Sequence, residues 1–136
     1  MHIPIIRLLL AVIAAEVVPL LLLFVTVAAF GPPELEQAKH FAAVMGSWVG
    51  PIAGAVCAYL AAYGIGRLAP ERALSDGIIV GVCLAALDVV LLYGGNASFE
   101  WLYFFSNLGK VLAATFGGWV SRGPPKSSGA HSLPSS

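Results

Sequence analysis

Four long apolar runs, each closed by a short polar or Gly/Pro-rich break, set the pattern of this chain. They cover about residues 4–30, 41–66, 75–93 and 101–121, and the first ends at Gly31-Pro32-Pro33. None alternates apolar with polar residues in the period of two that a lipid-facing strand requires. Only helices and closed barrels cross hydrocarbon, because every backbone N–H and C=O must find its partner within the protein. A helix of about 20 residues crosses a core roughly 30 Å thick. The pattern predicts an all-α integral membrane protein: a four-transmembrane-helix bundle over residues 1–122. Its connections are short, at 31–40, 67–76 and 94–100. The Ser-, Pro- and Gly-rich segment 123–136 is expected to be a disordered tail.

A cleaved leader is the alternative for the first run. Its apolar stretch is longer than the roughly 7–15 residues of a leader core. Glu16 also sits at its middle. A retained spanning helix is the expectation.

Composition strengthens the membrane assignment. Of 136 residues, 59% are hydrophobic and 10% charged, against about 25% charged in soluble domains. A soluble domain of this size leaves too large a share of its surface exposed to hide so much apolar area. Net charge is zero, and no basic face exists for nucleic acid. The basic residues nevertheless sort by side. Arg7, Arg67, Arg72, Arg122 and Lys126 fall at one end of the predicted bundle, while Lys39 stands at the other beside Glu34 and Glu36, with Glu100 in the next loop. The excess of Lys and Arg on the cytoplasmic side of membrane proteins predicts that both termini are cytoplasmic. A bacterial cytoplasmic (inner) membrane is the expected location. Aromatic residues including Phe30, Tyr93, Trp101 and Phe105 crowd the opposite interface, and Tyr63 and Trp119 mark the inner one.

Small residues carry the packing signal. Gly46, Gly50, Gly54, Ala58, Ala62 and Gly66 recur every four residues along the second run. Gly77, Gly81 and Ala85 make a shorter stripe in the third run, and Gly109, Ala113 and Gly117 another in the fourth. Lipid supplies no hydrophobic push between helices, so close backbone approach over small residues drives their association. Such a glycine-zipper pattern serves either packing within one bundle or a face for a second protein.

Charge supplies the other signal. Glu16, Asp88 and Lys110 each lie inside an apolar run. Counted from the predicted inner boundaries at about 1.5 Å per residue, all three fall roughly 16–20 Å deep, near the middle of the core. An ionised group there costs at least about 2.5–3.5 kcal/mol, so the three are expected to face the bundle interior and one another. Pro19 and Pro51 are expected kink positions, since each removes a backbone hydrogen bond, to the carbonyls of Ala15 and Ser47. The segments Ala14-Ala15-Glu16-Val17-Val18 and Ala86-Leu87-Asp88-Val89-Val90 hint at a parallel internal repeat. On the fourth helix Lys110 shares a face with Ser106, Asn107, Ala114 and Gly117, leaving Leu108, Val111, Leu112, Thr115 and Trp119 for lipid. Three roles suit the charges: an ion pair of Lys110 with one acid, a proton- or cation-responsive site, or a charge awaiting a partner protein's opposite charge.

Other chemistry finds no support. His2, His40 and His131 are scattered too widely for a metal site. Cys57 and Cys83 lie in apolar runs and read as ordinary buried thiols. The Asn96-Ala97-Ser98 sequon lies too close to the predicted membrane to carry weight. No nucleophile elbow or phosphate loop is present. The sequence predicts no enzyme and no cofactor. The expected function is helix–helix association, as a homo-oligomer or as a subunit of a membrane complex. The alternative is an oligomeric small transporter or channel built on Glu16, Asp88 and Lys110.

Overall fold

The computed structural model describes residues 5–94 and 101–123. They form four helices: α1 (Ile5–Phe30), α2 (Leu35–Leu68), α3 (Ala73–Gly94) and α4 (Trp101–Val120). No strand occurs among the described residues. Helices α1, α2 and α3 are long and apolar enough to cross a membrane. The 20 residues of α4 also have the length of a span, but Ser106, Asn107, Lys110 and its aromatic hydroxyl and indole groups lower its hydropathy. Apart from Gly123, the expected tail lies outside the described residues, as do His2, Asn96, Glu100 and His131.

The largest departure from the expected boundaries is at the start of α2, which begins at Leu35 rather than 41. Hydropathy marks where a helix enters apolar surroundings, whereas helix formation depends on propensity and end chemistry. The residues Leu35-Glu36-Gln37-Ala38-Lys39 are good helix formers. Glu36 lies in the first turn, where the helix dipole favours an acid, and it accepts a 2.7 Å bond from the Lys39 ammonium. At about 1.5 Å per residue, this 34-residue helix is about 51 Å long, so its polar first turns extend past a 30 Å core. Pro19 and Pro51 both lie inside helices that continue unbroken through them. At the far end of the described chain, Gly123 takes φ 68, a left-handed conformation that suits glycine just beyond a helix terminus.

Close approaches fix the directions. Along α2 and α4, Gly54 meets Lys110, Gly117 meets Tyr59 and Gly66 meets Ser121, so these helices run parallel. Along α3 and α4, Gly77 meets Ala114 and Gly118 while Gly81 meets Val111, so these run antiparallel. Gly46 of α2 touches Leu23 of α1, near the short connection that joins those two helices. The order is up-down-up-down, with α4 packed against α2 and α3. Helix α1 rests on α2 and α3 alone, and no Cα of α1 comes within 8 Å of one in α4.

The bundle has a tight half and an open half. The tight half lies at the end carrying Arg67, Arg72 and Arg122. There Ala58, Ala62, Ala73, Val80, Leu84 and Ala114 are fully buried. Glycines let the backbones meet. A Cβ on Gly77 would stand 2.7 Å from the Ala114 carbonyl oxygen, and one on Gly81 2.8 Å from the Val111 Cα. A Cβ on Gly117 would strike the Tyr59 carbonyl, one on Gly118 the Ala73 carbonyl, and one on Gly66 the Ser121 hydroxyl. The Ser121 hydroxyl donates to the Gly118 carbonyl at 2.8 Å, so this buried polar group is satisfied. Val111 corrects an expectation: it packs against Gly81 and is only half-buried, rather than facing lipid. Leu108, Leu112 and Trp119 of the same helix are exposed. Tyr59 stacks on Tyr63 at 6.1 Å and lies 6.0 Å from Phe116, adding an aromatic seam between α2 and α4.

Two glycines expected to serve packing do not touch another helix. A Cβ on Gly50 or Gly109 would meet nothing within 4 Å. Gly46 makes only an ordinary 3.5 Å contact with Leu23. Gly46 and Gly50 line the open half, where the helices diverge.

Candidate functional site

The three charges expected to face one another do so. Lys110 on α4 is buried, and its Nζ donates to Glu16 Oε2 at 3.0 Å, to Glu16 Oε1 at 3.3 Å and to Asp88 Oδ2 at 2.8 Å. One of the three roles read from the sequence had Lys110 paired with a single acid, leaving the other spare. Instead one ammonium bridges both carboxylates, and so ties α1, α3 and α4 together. Glu16 and Asp88, the corresponding acids of the two similar segments, thus meet at one cation. The Lys110–Glu16 pair also spans helices whose backbones do not touch.

Gly54 makes the lysine's position possible. A Cβ there would stand 2.5 Å from Lys110 Cε and 3.4 Å from its Nζ. The lysine stem therefore lies along the bare α2 backbone. In the sequence Gly54 is one member of a regular stripe, and nothing distinguishes its partner from that of its neighbours.

Above the cluster lies a cavity of about 550 Å³ walled by all four helices. Glu16, Asp88 and Lys110 form its floor. Its walls rise through Leu20 and Leu23 of α1, Gly46 and Gly50 of α2, Leu92 of α3, and Leu102 and Tyr103 of α4. All of these lie toward the ends of the helices near Phe30, Leu35, Gly94 and Trp101. From Glu16 to Leu23 is seven residues, so the cavity is about 10 Å deep. Pro19 and Pro51 both line it. By their chemistry they leave the Ala15 and Ser47 carbonyls without the usual helical donor. The Ser47 hydroxyl donates to the Val44 carbonyl at 2.7 Å, and Tyr103 and Ser106 carry the other wall hydroxyls. The cavity was not legible in the sequence. Its signal there is only that Gly46 and Gly50 interrupt an apolar run, which is equally what a packing glycine looks like.

The floor is not symmetrical in exposure. The side chain of Lys110 is 6% exposed, Glu16 11% and Asp88 18%. All three side chains line the cavity, the two acids with more exposed surface than the lysine. With all three ionised, two carboxylates against one ammonium leave one negative charge unmatched. A charge in low dielectric needs a partner, so one proton or one further positive charge would balance the floor.

Comparison with family models, curated proteins and solved structures gives no match to this chain. The site must be read from its own chemistry. Among the described residues no three His, Cys, Asp or Glu side chains come together as a metal-binding group. Cys57 and Cys83 are free thiols beside the buried core.

Proposed function

We propose that this chain is a small multi-pass membrane protein that binds a cation in the cavity and passes it across the membrane. In this reading all four helices span. Both termini lie on the cytoplasmic side of a bacterial inner membrane, and the cavity opens toward the other side. One observation carries the proposal: Lys110 bridges Glu16 and Asp88 at the floor of a cavity that all four helices wall. Intramembrane ionisable residues that face a cavity mark ion and substrate pathways. The collection of Arg67, Arg72 and Arg122 at the closed end supports the orientation.

The arrangement also supplies a moving part. Helix α1 leans on α2 and α3, has no Cα within 8 Å of one in α4, and is tied to α4 by the Glu16–Lys110 pair. When a cation or proton takes the place of Lys110 at Glu16, that tie is released. α1 is then free to shift against the tight α2–α3–α4 core. A four-helix chain encloses little pathway alone, so the working unit in this reading is an oligomer.

The reading in which association is itself the function rested on the small-residue stripes. Gly54, Gly77, Gly81 and Gly117 are occupied within the chain, which leaves less of that stripe for a partner. Reconstitution tests the proposal. Proteoliposomes carrying the full chain are expected to show proton or cation flux, and Glu16→Gln and Asp88→Asn variants that still elute as folded protein are expected to lose it. Unchanged flux in both variants would end this reading.

A further inference from the structure

The cavity is larger and more apolar than an inorganic ion needs. Hard metal ions take about six or more oxygen ligands in a close shell. This floor offers two carboxylates, both already holding an ammonium, and above them the wall is mostly leucine, alanine, glycine and proline, with three hydroxyls, those of Ser47, Tyr103 and Ser106. A hydrated ion would bring its water against leucine. A volume of about 550 Å³ lies within the roughly 300–1,000 Å³ of organic ligand sites, which are mostly apolar with a few placed polar groups. The charge imbalance sets the sign of the ligand. Two carboxylates share this floor with one ammonium, and both acids are more exposed than Lys110, so with all three ionised an anion would meet net like charge. Tyr103, on the wall, is an aromatic side chain of the kind that attracts a cation with an organic body.

Resting on the transport reading above, we infer that the ligand is a lipophilic organic cation. Its charged centre sits against Asp88 and Glu16, and its apolar body fills the leucine-walled space. Lys110 is the tethered cation that holds the two acids in place while the cavity is empty of ligand.

The test uses the purified full chain in dodecyl maltoside and two probes of the same shape and opposite charge, tetraphenylphosphonium and tetraphenylborate. Equilibrium dialysis of the unaltered protein needs no variant that could misfold. The expected result is saturable phosphonium binding at least tenfold tighter than any saturable borate binding. Asp88→Asn, checked for its helical circular dichroism and elution volume, should weaken phosphonium binding at least tenfold. Equal binding of the two probes would overturn the inference, because the cavity would then recognise shape alone. Absence of saturable phosphonium binding would overturn it as well. If sodium or proton flux dependent on Glu16 and Asp88 persisted in that case, the transport reading would stand and only the ligand class would fall. Phosphonium bound at the acids but not carried across liposomes would uphold the ligand class and remove transport.

Discussion

Replacing Lys110 with methionine tests whether the bridged cluster holds the helices together. Methionine keeps most of the stem that lies along Gly54 but removes the ammonium that both acids accept from. Breaking a buried ion pair by removing one partner costs about 3–5 kcal/mol, mainly because a buried charge is left without compensation. Here two carboxylates are stranded, but Asp88 is 18% exposed toward the cavity and can recruit water. The lower end of that range, about 3 kcal/mol, is therefore expected for Lys110→Met alone. Adding Glu16→Gln and Asp88→Asn removes the stranded charges and keeps their shapes. The triple variant should lose only the net worth of the hydrogen bonds, about 1 kcal/mol or a little more. Residues in one network are expected to be this far from additive. Thermal unfolding in detergent reads the difference. Lys110→Met should melt on the order of 10 °C below the parent, and the triple variant should recover most of that loss. Equal destabilisation of the single and triple variants would refute the reasoning, since the cost would then come from lost packing.

Three further outcomes follow from named contacts. Gly117→Ala should destabilise the bundle by more than about 1 kcal/mol because its Cβ would strike the Tyr59 carbonyl, whereas Gly109→Ala should be neutral or gain up to about 1 kcal/mol from helix propensity; comparable melting losses in both would contradict the close α2–α4 approach at Gly117. Gly54→Val should displace the Lys110 stem and disturb the ion cluster, so cation flux should fall well before the protein loses its helical circular dichroism; normal flux would separate the cluster from function. In a background lacking Cys57 and Cys83, a membrane-impermeant maleimide should label Glu34→Cys from outside intact cells and Glu71→Cys only after the membrane is opened, and the reverse pattern would invert the proposed topology.

The four helices were legible in the sequence because long apolar runs admit few other structures in lipid, and because the breaks at Gly31-Pro32-Pro33 and around Pro70 are chemically plain. The meeting of Glu16, Asp88 and Lys110 was legible for a related reason. Three charges at one depth in an apolar medium are costly apart and cheap together. Tertiary structure decided the rest. Whether a glycine is a contact or an opening depends on what stands opposite it, so Gly54 and Gly50 look alike in sequence while one seats a lysine and the other borders empty space. That one ammonium serves two acids depends on the position of α4 between α2 and α3, which hydropathy does not specify. The cavity exists because the helices that press together around Ala58, Val80 and Gly117 spread apart above Lys110. Such divergence is a relation among four helices, and no single run of residues contains it.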